Sequence, residues 1–181
     1  ILELVLSGCN NQEISNSMRL SLGTVKNYVS SLLLALDDVA ANLRSVAAAL
    51  GEPERAQPWV QKLAWLQRTR PVSSKDAIWL SGGGQSLDPA SIGAQWMRLA
   101  GLRQRTLSGG RASLETLLVQ PPAVLVESRY RSAQLSSGVR WLEHPIVRNA
   151  KARRLVADGR RWTCMGPLMI EEIERLRAAK P

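Results

Sequence analysis

Hydrophobic positions follow helical spacing in the first 70 residues of this chain, and the period changes after Pro71. Residues 1–6 are apolar apart from Glu3, and Ser7-Gly8 ends the run as a helix C-cap would. Asn10-Asn11 are placed to cap a short helix over 12–18, with Ile14 and Met18 one turn apart on its inner face. A turn at Arg19-Leu20 follows, and after Ser21 the residues Val25, Val29, Leu32 and Leu33 recur at helical spacing. Short helix, tight turn and longer helix make a helix-turn-helix organisation. Asp37-Asp38 opens an alanine-rich helix over 39–50 that Gly51 stops. The span 52–70 reads as a further helix on Ala56, Val60, Leu63, Ala64 and Leu66; Pro58 marks a kink or a later start, and Pro71 the end.

Beyond Pro71, Ala77-Ile78-Trp79-Leu80 predicts a short strand feeding the glycine run Gly82-Gly83-Gly84. A helix over 91–99 ends at Gly101, a short one spans 113–119, and 123–127 reads as a buried strand. Residues 141–150 are helical in part, with His144-Pro145 as a turn; 154–157 is a third strand and 168–179 a closing helix. Helices alternating with three short strands predict an α/β fold, a small three-layer lobe with a short, mostly parallel sheet. Trp79, Trp96 and Trp141 are core or interface candidates, and Glu171, Glu172 and Glu174 fit a salt-bridged surface on the closing helix.

A length of 181 residues suits one domain, or a small one attached to a medium one, and the 45% hydrophobic content excludes wholesale disorder. No apolar run reaches the ~18–20 residues of a membrane span. There is no signal peptide, and a start at Ile1 rather than Met reads as a fragment or processed product. Cys9 and Cys164 lie far apart with the single histidine, His144, near neither, so free thiols are expected rather than a metal site, and no cofactor is implied. No Ser or Cys nucleophile has a histidine in sequence context, which argues against an enzyme. No Gly-Lys-Ser/Thr follows Gly82-Gly83-Gly84, which argues against a nucleotide loop.

The formal charge is +9. Within residues 1–36, Arg19 and Lys26 cancel Glu3 and Glu13, so the whole excess lies further on. It is densest over 148–161, where Arg148, Lys151, Arg153, Arg154, Arg160 and Arg161 face only Asp158. Such a run is either a solvated face or a surface that receives anions, nucleic acid first among them.

Two resemblances add to this reading. Gly8-Cys9-Asn10-Asn11-Gln12-Glu13-Ile14, followed by Ser21-Leu22-Gly23-Thr24-Val25-Lys26-Asn27-Tyr28-Val29-Ser30, resembles the LuxR-type DNA-binding helix-turn-helix over residues 1–35. The resemblance implies that Lys26, Asn27 and Ser30 face the major groove and that Thr24 bonds a phosphate. The family's Leu-Thr-x-Arg-Glu lead-in is missing, so the first helix is truncated.

The second resemblance covers residues 36–181. Leu36-Asp37-Asp38-Val39, Ala47-Ala48-Ala49-Leu50-Gly51, Leu99-Ala100-Gly101-Leu102, Ser113-Leu114-Glu115-Thr116-Leu117-Leu118, Pro121-Pro122-Ala123-Val124-Leu125-Val126 and Trp162-Thr163-Cys164-Met165-Gly166-Pro167 stand in the order of class III solute-binding proteins. These bind ferric siderophores, heme or cobalamin for ABC importers, without catalysis. The implied division is a helix-turn-helix segment over 1–35, a connecting-helix region over 36–71 and the C-terminal lobe over 72–181, the first lobe being absent. Trp162, in the loop after the last strand, would offer a flat apolar face to a metal chelate or macrocycle, and Arg160 and Arg161 would meet its anionic groups. Gln85 and Ser86, with Asp88, are candidate polar contacts on the cleft-edge loop, and Glu115 would dock onto an ABC-transporter permease. The first resemblance implies a cytoplasmic DNA-binding regulator with the α/β part as sensor or passenger, the second a periplasmic binding protein. A spliced, misassembled or recombinant join near Leu36 is one way to hold both.

Overall fold

A computed structural model describes residues 11–21, 36–49, 51–129, 137–164 and 166–179. In chain order the elements are helices α1 (Asn11–Met18), α2 (Leu36–Ala49) and α3 (Gln57–Arg68), strand β1 (Lys75–Leu80), α4 (Ile92–Leu99), β2 (Leu102–Gln104), α5 (Leu114–Val119), β3 (Val124–Arg129), α6 (Ser137–Leu142), α7 (Pro145–Arg148), β4 (Arg153–Asp158), α8 (Gly159–Cys164) and α9 (Pro167–Ala178). Short 3-10 turns stand at Pro53–Ala56, Gly82–Gly84 and Ser108–Gly110. The four strands form one sheet in the order β2-β1-β3-β4, and every pairing is parallel.

Alternation along the strands separates two cores. Ala77 and Trp79 of β1, Val124 and Val126 of β3, and Leu155 and Ala157 of β4 pack with Val39 and Leu43 of α2, Leu63 and Leu66 of α3, Trp96 of α4, and Ile170 and Ile173 of α9. The opposite face, Ile78, Leu80 and Leu125, meets Leu117, Leu142 and Val147. Helices therefore cover both faces of the sheet, the three-layer α/β arrangement that the sequence pattern predicts. The region before β1 is not an appendage, since α2 and α3 supply much of the larger core.

Sequence signals and structure meet closely at the caps. Ser91 and Ser113 accept from the N–H groups of Ala94 and Thr116, starting α4 and α5, and His144 Nδ1 accepts from Ile146 N–H ahead of α7. Pro58 marks the change from 3-10 to α geometry, because the helix proper starts at Gln57.

Four expectations need correction. A fourth strand, β2, follows Gly101; three residues are too short to show a period. Gln104 completes it, because its side-chain Oε1 accepts the Trp79 backbone N–H at 2.9 Å. Met18 is 44% exposed, whereas Ile14 is fully buried, so only Ile14 faces inward on α1. Glu172 is buried at 1% exposure rather than on the surface, because Arg175 pairs with it at 2.7 Å and it accepts the Asp158 N–H at 3.1 Å. Residues 159–164, read as a loop, are helical.

Arg177 ties three elements together. Its guanidinium donates to Leu66 O and Leu99 O, carbonyls in the last turns of α3 and α4, and to Thr69 Oγ1, at 2.6, 2.6 and 2.8 Å. It also lies 5.5 Å from the Trp65 ring centre.

Candidate functional site

After β1 the chain pairs β2 on one side, and β3 and β4 on the other, so the order reverses between β1 and β3. In an open parallel sheet the crevice beyond the strand carboxyl ends at such a reversal is the usual ligand position. Here that edge is built by the 3-10 turn Gly82–Gly84 after β1, by Glu127–Arg129 closing β3, and by Asp158 with α8 after β4.

The glycine turn is a packing device. Gly84 has φ +76°, and a Cβ there would stand 2.7 Å from Ala112 O and 2.8 Å from Trp141 Cζ2. Its carbonyl accepts the Ala112 N–H at 2.8 Å, which brings the start of α5 to the same edge. Arg111 donates to Gly83 O at 2.7 Å. Gln85 is exposed, while the Ser86 hydroxyl turns inward, donating to Trp79 O at 2.6 Å and accepting from Gln104 Nε2 at 2.9 Å. Asp88 accepts the Ala90 N–H at 2.7 Å.

At the end of β3 the Glu127 carboxylate is completely buried and paired with both Arg129, at 3.0 Å, and Arg154. Arg129 also reaches Glu143 at 2.8 Å. Burial works against the Arg129 charge, but its bonds to Glu127 and Glu143 outweigh it and raise its pKa; the same bond holds Glu143 below the usual carboxylate range. Two acids and two arginines thus neutralise one another. The sequence placed Arg154 in a basic run faced only by Asp158, because Glu127 and Glu143 approach it only through the fold.

Arg160 and Arg161 stand at this edge after β4 and are also engaged. Arg160 pairs with Asp158 at 2.8 Å, and this bond lowers the Asp158 pKa and raises that of Arg160. Arg161 pairs with Glu171 at 3.2 Å and with Asp158 at 3.8 Å. Arg160 keeps 64% of its side chain exposed, so it remains within reach of an outside anion.

Trp162 departs from the expected geometry. It lies on α8, not in a loop, and is 2% exposed, because the helix turns it back onto the sheet against Trp79. The ring centres are 5.9 Å apart and inclined by 45°. The Nε1–H groups of Trp79, Trp96 and Trp162 and the Ser128 hydroxyl are buried without a hydrogen-bond partner among the described residues. Trp79, Trp162 and Ser128 belong to the carboxyl end of the sheet, whereas Trp96 lies on α4. Ser128 shares the face of Trp79, since Trp79 registers with Val126 and Ser128 lies two residues further along β3. A buried polar group left unpaired costs about 1–3 kcal/mol, so a cluster of three requires an explanation. Sequence reading missed Ser128 and the role of Trp79, and no local signal marks either.

Glu115 is exposed in the first turn of α5, beside Leu118 and Val119, which are 66% and 68% exposed. Gln85, Ser86, Arg160, Arg161, Trp162 and Glu115 thus belong to elements at one edge of the sheet. Thr24, Lys26, Asn27 and Ser30 lie outside the described residues, as does Cys9. Among the described residues no group of three or more His, Cys, Asp or Glu is placed to hold a metal ion, and no helix is long and apolar enough to cross a membrane.

The description of bacterial regulatory proteins of the luxR family matches residues 1–37. No curated protein matches the chain. Among solved structures, a periplasmic heme-binding protein from Pseudomonas aeruginosa is 22% identical with a TM-score of 0.60, over 82% of this chain and 61% of that one. A periplasmic heme-binding protein from Roseiflexus sp. RS-1 in apo form is 20% identical with a TM-score of 0.56, over 80% of this chain and 62% of that one. An ABC-type Fe3+-hydroxamate transport system protein from Saccharomonospora viridis is 19% identical with a TM-score of 0.57, over 82% and 57%. The chain therefore shares a fold with these structures and spans roughly three-fifths of the length of each.

Proposed function

We propose that residues 36–181 are the connecting helix and C-terminal lobe of a non-catalytic solute-binding component of an ABC importer, and that its solute is a metal chelate of the ferric siderophore, heme or cobalamin class. The observation that carries this reading is that three of the four buried donors without a partner among the described residues, Trp79 Nε1–H, Trp162 Nε1–H and Ser128 Oγ–H, lie at the carboxyl end of a parallel sheet. Such chelates present carbonyl, carboxylate or hydroxamate oxygens, which are acceptors. The fold shared with proteins described as binding heme or transporting Fe3+-hydroxamate supports the same class. Arg160 and Arg161 would meet the chelate's negative groups, with Gln85 and Ser86 as polar contacts. Trp162 contributes its N–H and ring edge rather than an open face. Glu115, with Leu118 and Val119 exposed around it, would dock the lobe onto a permease, and the protein would act in the periplasm.

The test is isothermal titration of the full chain with hemin, ferric hydroxamates and cobalamin, beside Trp162→Phe, which keeps an aromatic ring but removes the N–H. Binding of at least one chelate, weakened about tenfold in the variant, is expected for loss of one hydrogen bond worth ~1.4 kcal/mol. Binding of none at high micromolar concentration refutes the reading.

A second reading rests on the luxR-family match at residues 1–37: a DNA-binding regulator with the α/β part as sensor or passenger. A gel shift comparing the full chain with Lys26→Ala tests it, and equal retardation of both refutes base recognition through that helix.

A further inference from the structure

We propose that the edge of the sheet opposite the candidate site, where the strands begin, binds the phosphodiester backbone of nucleic acid without regard to sequence. Two groups of basic residues stand at opposite edges of the sheet. Those at the carboxyl edge, Arg129, Arg160 and Arg161, are all ion-paired, and Arg154 near the start of β4 is held by Glu127. At the amino edge stand Arg68, the last residue of α3, Arg70 in the link to β1, Lys75 opening β1, Arg103 on β2 and Lys151 just ahead of β4. Because the four strands are parallel, every one of these segments reaches the same edge. All five are exposed, and none forms an ion pair among the described residues. The acid at the strand starts, Asp76, is neutralised by Arg105.

Ordinary structural needs account for only part of this arrangement. A cation in the last turn of a helix, as Arg68 is, is favoured by the helix dipole, and a charged Arg103 on edge strand β2 deters strand addition. Neither reason applies to Arg70, Lys75 or Lys151. An unopposed row of cations across a sheet edge is instead the footprint of a polyanion.

Two polyanions compete for this surface, nucleic acid and an anionic membrane. Charge partition along the chain favours nucleic acid. Residues 1–37 match a family of bacterial regulatory proteins, yet residues 1–36 carry no net charge, from Arg19 and Lys26 against Glu3 and Glu13. The entire +9 resides in the following segment. A helix-turn-helix without surplus cations lacks the counterion-releasing contacts that dominate non-specific affinity, and the amino edge supplies them. This inference rests on the second reading, that of a DNA-binding regulator, and not on the chelate-binding one, which uses the other edge of the sheet.

The experiment is fluorescence anisotropy of a labelled duplex DNA of arbitrary sequence, titrated with the full chain at several salt concentrations, alongside phosphatidylglycerol vesicles in a sedimentation assay. Five phosphate contacts give a slope of log affinity against log salt of about −4 to −5, a loss of roughly 500-fold between 50 and 200 mM. The triple variant Lys75→Glu, Arg103→Glu, Lys151→Glu is compared with a control of equal charge change, Arg44→Glu, Arg55→Glu, Arg140→Glu. The edge variant should bind at least tenfold more weakly than the control and reduce the slope by about 3. Circular dichroism on all three proteins confirms that each is folded. Equal loss in the two variants, absence of DNA binding at 50 mM salt, or vesicle binding without DNA binding each overturns the proposal.

Discussion

Replacing Glu172 with alanine removes a group that closes the outer edge of the sheet. Strand β4 is an edge strand, and along its open side the Asp158 N–H is accepted by Glu172 at 3.1 Å while Arg175 donates to Val156 O. One ion pair thus takes the acceptor of residue 156 and the donor of residue 158, the two groups that a neighbouring strand would use. Glu172 is 1% exposed, so its loss leaves the Asp158 N–H with a poor alternative to water. A hydrogen bond to a charged acceptor is worth about 1.5–3 kcal/mol. The Arg175 pair adds no more than ~1 kcal/mol, since Arg175 is 51% exposed and water screens it. The alanine variant should therefore lose about 2–4 kcal/mol, and Glu172→Gln, which keeps a carbonyl acceptor, about 1 kcal/mol. Urea unfolding followed by circular dichroism, with the m-value checked for constancy, reads both losses. An uncovered edge also pairs with other chains, so light scattering should show association in the alanine variant. A loss below ~0.5 kcal/mol with no association would refute edge closure by this pair.

Three further outcomes follow from the geometry. Arg177→Ala removes donors to Leu66 O, Leu99 O and Thr69 Oγ1, and should cost about 2–4 kcal/mol by thermal or urea unfolding, with Arg177→Lys recovering only part. Gly84→Ala forces a non-glycine residue to φ +76° and a Cβ to within 2.7 Å of Ala112 O, so the urea midpoint should fall by an amount equivalent to about 2–4 kcal/mol. The Asp158 pKa is lowered by its bond to Arg160, so its stabilising effect is complete above the unfolded value near ~3.9 and disappears as pH falls through the lower folded value. Stability measured from pH 6 down to pH 2 should therefore fall less steeply on the acid side in Asp158→Asn than in the parent chain.

What the sequence made legible was local or periodic. The helices expected over 91–99 and 113–119 start at Ser91 and Ser113, His144 precedes a helix as expected, the runs at 77–80 and 154–157 lie within strands, and the run at 123–127 enters β3 at Val124. Placement of the candidate site was legible only to the level of an edge, because Gln85, Ser86, Arg160 and Arg161 follow strand ends. What stayed hidden depends on distant partners. Glu127 can be buried because Arg154, 27 residues away, neutralises it, and the carboxylate that holds Glu172 inside serves a strand edge no local pattern shows. Trp162 was expected to show its face because six residues after a strand are too few for a helical period to appear, yet those residues coil and turn it onto Trp79.

The central claim, that buried donors at the carboxyl edge await the oxygens of a chelate, is tested most directly by nuclear magnetic resonance of the six tryptophan indole N–H groups. Resonances are assigned by single Trp→Phe variants, and the 15N-labelled full chain is titrated with diamagnetic gallium(III) hydroxamate and gallium(III) porphyrin. With at least one of these, the Trp79 and Trp162 Nε1–H protons should move downfield on forming hydrogen bonds, while Trp96 stays in place. If neither chelate moves Trp79 or Trp162, or if only the exposed Trp65 responds, the claim is contradicted.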